Sequence, residues 1–398
     1  MTSDLLTKNK IGESSAKNLY VLCLCLYLMC LPLGILSLGS VGSALRFVAL
    51  LPVGAALLFS RKVYFSAPLV LQTLFTGLCF ISAIWSINSE ASLSRTLSYV
   101  LLLLLLISAS MFKYTSKDIS YIKMALVWSS RLTAIAVFAF ADLYQGRLII
   151  REDSFTEDPN YLCAYFAFGA VFALSVILSK GSIFKKLFCL AELCVYLYIV
   201  LASGSRGGLI AILAGLFVYV LFFGNLSRAN ILKKICIVLA ILLILALIIG
   251  ALPENIRNRF TIEDVVSSGG TGRLDIWHKY LKEFKDFTFV RLLLGYGTAS
   301  SLSLFENLGY IDIKGAHNIL IETLVELGFV GLVLYCISIF AFSKKAFNQT
   351  DKFAFSVFFS IFVLNMSIAS NAFKPYFHIM LFILVCSNLM QGESHEQN

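Results

Sequence analysis

The chain has 398 residues, of which 59% are hydrophobic and 14% charged, against roughly 25% charged in an ordinary soluble protein. A mean hydropathy of +0.86, in repeated apolar runs of about 17 to 24 residues, excludes a soluble single-core fold, a disordered chain and a disulfide scaffold; it describes a polytopic membrane protein. The formal net charge of +9 does not point to nucleic acid, because the basic residues are scattered through short loops instead of forming one patch.

In chain order, residues 1–18 form a cytoplasmic tail carrying Lys8, Lys10 and Lys17. The run that follows is long for a signal peptide and is trailed by further spans, so it is an uncleaved first helix. Windows of about 19 residues predict spans at 19–38, 44–59, 67–85, 97–112, 122–143, 161–178, 187–201, 207–223 and 235–252, then at 319–342, 353–368 and 376–390. These make an all-α bundle of about twelve spans: 19–252 holds spans one to nine, 317–390 holds spans ten to twelve, and 391–398 is a second cytoplasmic tail. Arg61, Lys62, Lys113, Lys117, Lys180, Lys185, Lys186, Arg228, Lys233, Lys234, Lys344, Lys345 and Lys352 all fall in loops on one side, which the positive-inside rule makes cytoplasmic. The ten cysteines lie in or beside apolar stretches and read as packing thiols.

The outward loops differ in kind. Residues 86–94 carry no Lys or Arg, residues 144–160 mix Arg147 and Arg151 with Glu152, Asp153, Glu157 and Asp158, and residues 253–316 form one long external loop between spans nine and ten. A loop of about 60 residues is too long to be only a connector. Within it, residues 273–287 place Leu274, Trp277, Leu281 and Phe284 on one stripe, the pattern of an amphipathic helix with Thr271 as its cap. That helix lies on the membrane surface or covers the bundle, while Arg273 in its first turn opposes the macrodipole and suggests an anionic partner.

Three sets of polar residues need a reason. Arg206 sits in the short turn Ser203-Gly204-Ser205-Arg206-Gly207-Gly208 at the outer surface, where the glycines leave room for a bulky group and the guanidinium suits either a phosphate or a lipid headgroup. His317, with Asn318, stands at the mouth of the tenth span, where a neutral imidazole accepts a proton from a hydroxyl. It is one of four histidines. Glu322 and Glu326 lie one helical turn apart in that span and must face the bundle interior. Arg131 and Glu192, also within spans, form a buried ion pair or contact substrate.

Residues 203–208, the GGTGRLDIW segment at 269–277, the GYG at 295–297 and the GAHNILIETLVELGFVG run at 315–331 together resemble the O-antigen ligase and polymerase family of the bacterial envelope. The resemblance implies a GT-C-like membrane glycosyltransferase acting on an undecaprenyl pyrophosphate-linked glycan at the outer face of the bacterial cytoplasmic (inner) membrane. It implies Arg206 and Arg273 as the cations that stabilise the pyrophosphate leaving group and His317 as the base for the attacking sugar hydroxyl. Ser205, Gly207, Asn318, Glu322 and Trp277 are the expected substrate-binding residues. No metal and no cofactor are expected. The expected partners are the lipid-linked donor, a glycan or lipid A-core acceptor, membrane lipids and a chain-length regulator.

Ligase and polymerase share these motifs. Asp158-Pro159-Asn160 resembles a turn of capsule and exopolysaccharide polymerases as well as an ordinary Asp-Pro turn, and tips the expectation towards polymerase, with ligase to lipid A-core as the alternative. A protein-glycosylating ligase ranks third, since no added soluble domain is present to recognise a protein. A secondary transporter would also have about twelve spans and intramembrane charges, but the chain shows no matching halves.

Overall fold

The computed structural model describes residues 2–34, 45–144, 147–152, 155–156, 159–224, 227–261, 263–264, 272–310, 314–368 and 373–390. Each predicted apolar run is a helix: α1 Thr2–Met29, α2 Leu45–Phe59, α3 Ala67–Ile81, α4 Ser89–Ala109, α5 Ser116–Phe140, α6 Pro159–Leu178, α7 Ile183–Ala202, α8 Arg206–Phe222 and α9 Arg228–Ala251. The long loop adds α10 Glu254–Arg257, α11 Arg273–Lys285, α12 Phe289–Leu294 and α13 Ser301–Asn307 before α14 Ile319–Phe347, α15 Phe353–Asn365 and α16 Phe373–Ser387. Among the described residues, six helices are long and apolar enough to cross a membrane. The others assigned to spans are shorter or carry more charge. The chain is a predominantly helical membrane protein, and α1 extends through most of what the sequence read as a tail. The tail 391–398 lies outside the described residues.

Local chemistry sets the helix starts. Thr115 and Asp118 form a reciprocal capping box on α5, and the Asp118 carboxylate also takes Lys17 at 2.7 Å, tying α1 to α5. Asn88 caps α4 by accepting the Ala91 N–H at 3.0 Å, so that helix begins eight residues before the apolar run suggested.

The bundle packs through small residues, as expected where lipid supplies no hydrophobic drive between helices. A Cβ on Gly215 of α8 would stand 2.7 Å from the Ser360 Cβ of α15, and the Ser360 hydroxyl donates to the Ala211 carbonyl at 2.8 Å. Helix α6 is buried over most of its surface, whereas α9 presents Leu239, Leu243 and Leu247 outward.

Two features depart from the sequence reading. The end of the fifth predicted span and the outward loop after it instead contribute a small antiparallel sheet of β1 Ala141–Tyr144, β2 Arg147–Glu152 and β3 Phe155–Thr156. The β-branched pair Ile149 and Ile150 favours the strand. The second departure is a break in the tenth predicted span. Gly328 has φ 63° and ψ −164° inside α14, a region open essentially to glycine alone.

That break splits α14 into residues 319–327, about 13 Å long, and 329–347, about 28 Å. Only the second part approaches the roughly 30 Å of a hydrocarbon core. Gly295-Tyr296-Gly297 runs against the break: Tyr296 N–H donates to the Val325 carbonyl at 3.3 Å and Gly297 N–H to the Glu326 carbonyl at 2.7 Å. Cβ atoms on Gly295 and Gly328 would each fall 2.3 Å from opposing backbone atoms.

The first part of α14 therefore belongs to the loop and not to a span. Val325 packs with Tyr280, Phe284, Leu304, Phe305 and Ala316 in a core separate from that of the bundle. Residues 86–92 seat this small domain: Ile87 N–H donates to the Tyr296 carbonyl at 3.3 Å, Asn88 reaches Ser303 at 2.9 Å, and Ser92 donates to the Thr298 carbonyl. The predicted apolar stripe on α11 is corrected by the same packing. Tyr280 and Phe284 are its buried face, with Ile276, Trp277 and Phe287 beside them, whereas Leu274 and Leu281 are exposed.

Candidate functional site

The first cluster is built on the turn before α8. Gly204 takes φ 66°, which lets the chain reverse tightly between α7 and α8. Ser205 is the N-cap: its hydroxyl accepts the Gly208 N–H at 2.9 Å and donates to Asn160 Oδ1 at 2.6 Å. Arg206, the first residue of α8, donates from Nε to the Arg259 carbonyl at 2.6 Å and pairs with Asp264.

Two further arginines reach the turn. Arg147 of β2 donates from Nε to the Ser203 carbonyl at 2.8 Å, and Arg259 donates from Nε to the Gly204 carbonyl at 3.4 Å. Sequence reasoning noted Arg147 only as one charge among several and passed over Arg259 and Asp264, which lie far from residue 206 in sequence. The signal for the two arginines was a cation in a loop predicted to lie opposite the basic side.

The glycines do not leave the room expected of them. A Cβ on Gly207 would meet Ser367 Cβ at 2.7 Å, and one on Gly208 would meet Cys163 Sγ at 2.3 Å. Both positions serve close packing of α8 on α6 and on the segment after α15. Ser205 and Gly207 thus shape the turn, with Asn160 as its support; Asp158, the first residue of the Asp-Pro-Asn turn, lies outside the described residues.

The second cluster surrounds the start of α14. Gly272, at φ 75°, is the N-cap of α11, so Arg273 opens that helix as read from sequence; Thr271 lies outside the described residues. The helix ends at Lys285, two residues earlier than expected. Trp277 donates from Nε1 to the Ala316 carbonyl at 2.7 Å, and the Tyr280 hydroxyl donates to the Lys314 carbonyl at 3.3 Å. Burial pushes the Tyr280 phenol well above its ordinary range and the nearby Glu322 carboxylate adds to this, so it remains a hydroxyl donor. Together these two rings hold the backbone that presents His317.

His317 itself has φ 49°, a left-handed conformation uncommon outside glycine and found most at constrained or functional positions. Asn318 caps α14, accepting from the N–H groups of Leu320 at 3.0 Å and Ile321 at 3.3 Å. Glu322 and Glu326 are buried at 2% and 5% exposure, as the cost of a carboxylate near lipid requires. Glu326 accepts the Ser301 hydroxyl at 3.0 Å and the backbone N–H groups of Ala299 and Ser301.

Arg95 of α4 lies within electrostatic reach of both carboxylates. It was missed because it directly follows the stretch of residues 86–94 that carries no Lys or Arg. Its attraction to Glu326 draws the small domain towards α4.

The remaining span charges, Arg131 and Glu192, meet each other in a two-point pair at 2.6 and 3.2 Å. Trp128 and Phe188 flank the guanidinium. Of the two readings of these residues, the structure supports the ion pair.

Comparison with known proteins bears on this same stretch. Residues 192–336 match the O-antigen ligase family, a span that contains Arg206, Arg273 and His317. Three Rickettsia proteins, each named "Putative polysaccharide ligase", are similar over most of their length. That of Rickettsia prowazekii is 26% identical over 346 residues, covering 80% of each chain. That of Rickettsia conorii is 26% identical over 313 residues, covering 74% of this chain and 72% of its own. The Rickettsia typhi protein is 24% identical over 350 residues and 80% of each chain. Among solved structures, a chain of a peptidoglycan synthase complex superposes with a TM-score of 0.47 at 15% identity, over 81% of this chain and 97% of that one.

Proposed function

We propose that this chain, whose residues 192–336 match the O-antigen ligase family, is a member of the O-antigen ligase/polymerase superfamily and transfers a glycan from an undecaprenyl pyrophosphate carrier to an acceptor hydroxyl at the outer face of the bacterial cytoplasmic membrane. The apolar runs cross the membrane about twelve times, with the basic loops inside and the small domain outside. The observation that carries the reading is the fixed cationic turn: Arg206 is held by the Arg259 carbonyl at the N-terminus of α8, where the helix dipole adds to its attraction for an anion.

In the reaction the acceptor oxygen bonds to the sugar C1 as the bond from C1 to the diphosphate oxygen breaks. The electron pair leaves with undecaprenyl diphosphate, and Arg206 and Arg273 stabilise the charge that grows there. His317 takes the acceptor hydroxyl's proton. Trp277, Asn318 and Glu322 act as positioning residues, Trp277 through the Ala316 carbonyl and Asn318 through the cap of α14.

The acceptor favoured is lipid A-core or a comparable surface acceptor, since the relatives carry ligase names. Asn160 of the Asp158-Pro159-Asn160 turn accepts the Ser205 hydroxyl at 2.6 Å, which suits a structural role in either activity. The test is to supply purified protein with a lipid-linked donor, with and without lipid A-core. Ligation requires the core and yields one capped product. A ladder of lengthening glycans without core would establish polymerisation, and release of intact lipid-linked glycan across a vesicle membrane would establish transport.

A further inference from the structure

Three guanidiniums are attached to one short turn, and among the described residues Asp264 pairs with one of them. Arg147 and Arg259 each spend Nε on a carbonyl of the Ser203-Gly204 peptide pair, and a Cβ on Gly204 would stand 3.1 and 3.0 Å from those two Nε atoms. The two cations are therefore held within a few ångströms of each other on the same face of the turn. Arg206 follows two residues later, and its own Nε bonds the main chain of Arg259. Like charges gathered this closely repel unless an anion sits among them, and guanidinium forks bind phosphate oxygens in pairs.

Asp264 sits on Nη2 of Arg206. Its side chain is 43% exposed against 16% for Arg206, and such half-exposed pairs hold weakly. It is placed to leave when a stronger anion arrives.

We propose that Arg147 and Arg259 complete with Arg206 a diphosphate site in which Asp264 is a displaceable counter-ion. This rests on the reading of Arg206 as a ligand of the donor's diphosphate. The site is thus assembled from three separate segments, β2, the turn before α8 and the segment after α9. It forms only when the long loop is docked. Asp264 keeps the arginines spread and in place between turnovers, and the donor diphosphate exchanges for its carboxylate on entry.

The proposal fixes opposite signs for neighbouring variants. Inorganic pyrophosphate is titrated into the purified full chain in detergent by calorimetry, at two salt concentrations. Asp264→Asn should bind it about tenfold more tightly than the unaltered protein, because the competitor is neutral. Arg259→Gln and Arg147→Gln should each bind about tenfold more weakly with a shallower salt dependence, and Arg259→Lys should recover part of the loss. A misfolded variant would not gain affinity, so Asp264→Asn keeps the test independent of folding. If Asp264→Asn binds no better, or the Arg259 and Arg147 variants bind as the unaltered protein does, the assignment is overturned. If the unaltered protein neither binds pyrophosphate nor releases undecaprenyl diphosphate, the transfer reaction itself is refuted and this site with it.

Discussion

Replacing Gly328 by alanine tests whether the break in α14 builds the site. At φ 63° and ψ −164° an alanine would be strained by about 1 to 3 kcal/mol. Its Cβ would also lie 2.3 Å from the Leu293 carbonyl carbon and oxygen, main-chain atoms that cannot rotate away. Forcing that overlap adds about 1 to 3 kcal/mol. The cheapest escape is to straighten α14, which withdraws the Val325 and Glu326 carbonyls from Tyr296 and Gly297 and detaches the small domain that carries Arg273 and Trp277. Gly328→Ala should therefore insert and accumulate normally, lose most glycan transfer, and expose the loop to protease under conditions where the unaltered protein resists. A variant with unchanged activity and an unchanged protease pattern would refute the role given to the break.

Trp277→Phe keeps the ring in the loop core but leaves the buried Ala316 carbonyl without its indole donor, a loss of about 1 to 3 kcal/mol. Because His317 is the next residue, kcat should fall about tenfold or more while the donor KM changes little; a pure KM effect would contradict the positioning role. For Arg131 and Glu192, removing either partner should lower the melting temperature more than removing both in Arg131→Met with Glu192→Leu, since a lone buried charge costs about 3 to 5 kcal/mol. Transfer rates per folded molecule should stay unchanged throughout that cycle, and a rate loss common to all three variants would return these residues to the substrate path.

Hydropathy made every bundle helix legible, because a 20-residue apolar run is itself the physical requirement for a span. The positions of Arg206, Arg273 and His317 at helix starts were equally legible from their turn residues. What could not be read is what depends on distant backbone meeting backbone. Gly328 lies inside a predicted span, and only the approach of the Leu292 and Leu293 main chain shows why it is glycine. Likewise the stripe on α11 named Leu274 and Leu281, yet the loop core takes Tyr280 and Phe284, since periodicity marks a face without saying which neighbour covers it. Arg95, Arg147, Arg259 and Asp264 escaped because each acts across more than 50 residues of chain.

The most direct test follows the leaving group. With a lipid-linked glycan donor and acceptor in detergent, the purified protein should release free undecaprenyl diphosphate in step with a new glycosidic bond. Arg206→Ala, Arg273→Ala and His317→Ala should each stop that release while the protein remains folded and membrane-inserted. Release at near-normal rate by the arginine variants would contradict the account of leaving-group stabilisation on which the proposed function stands.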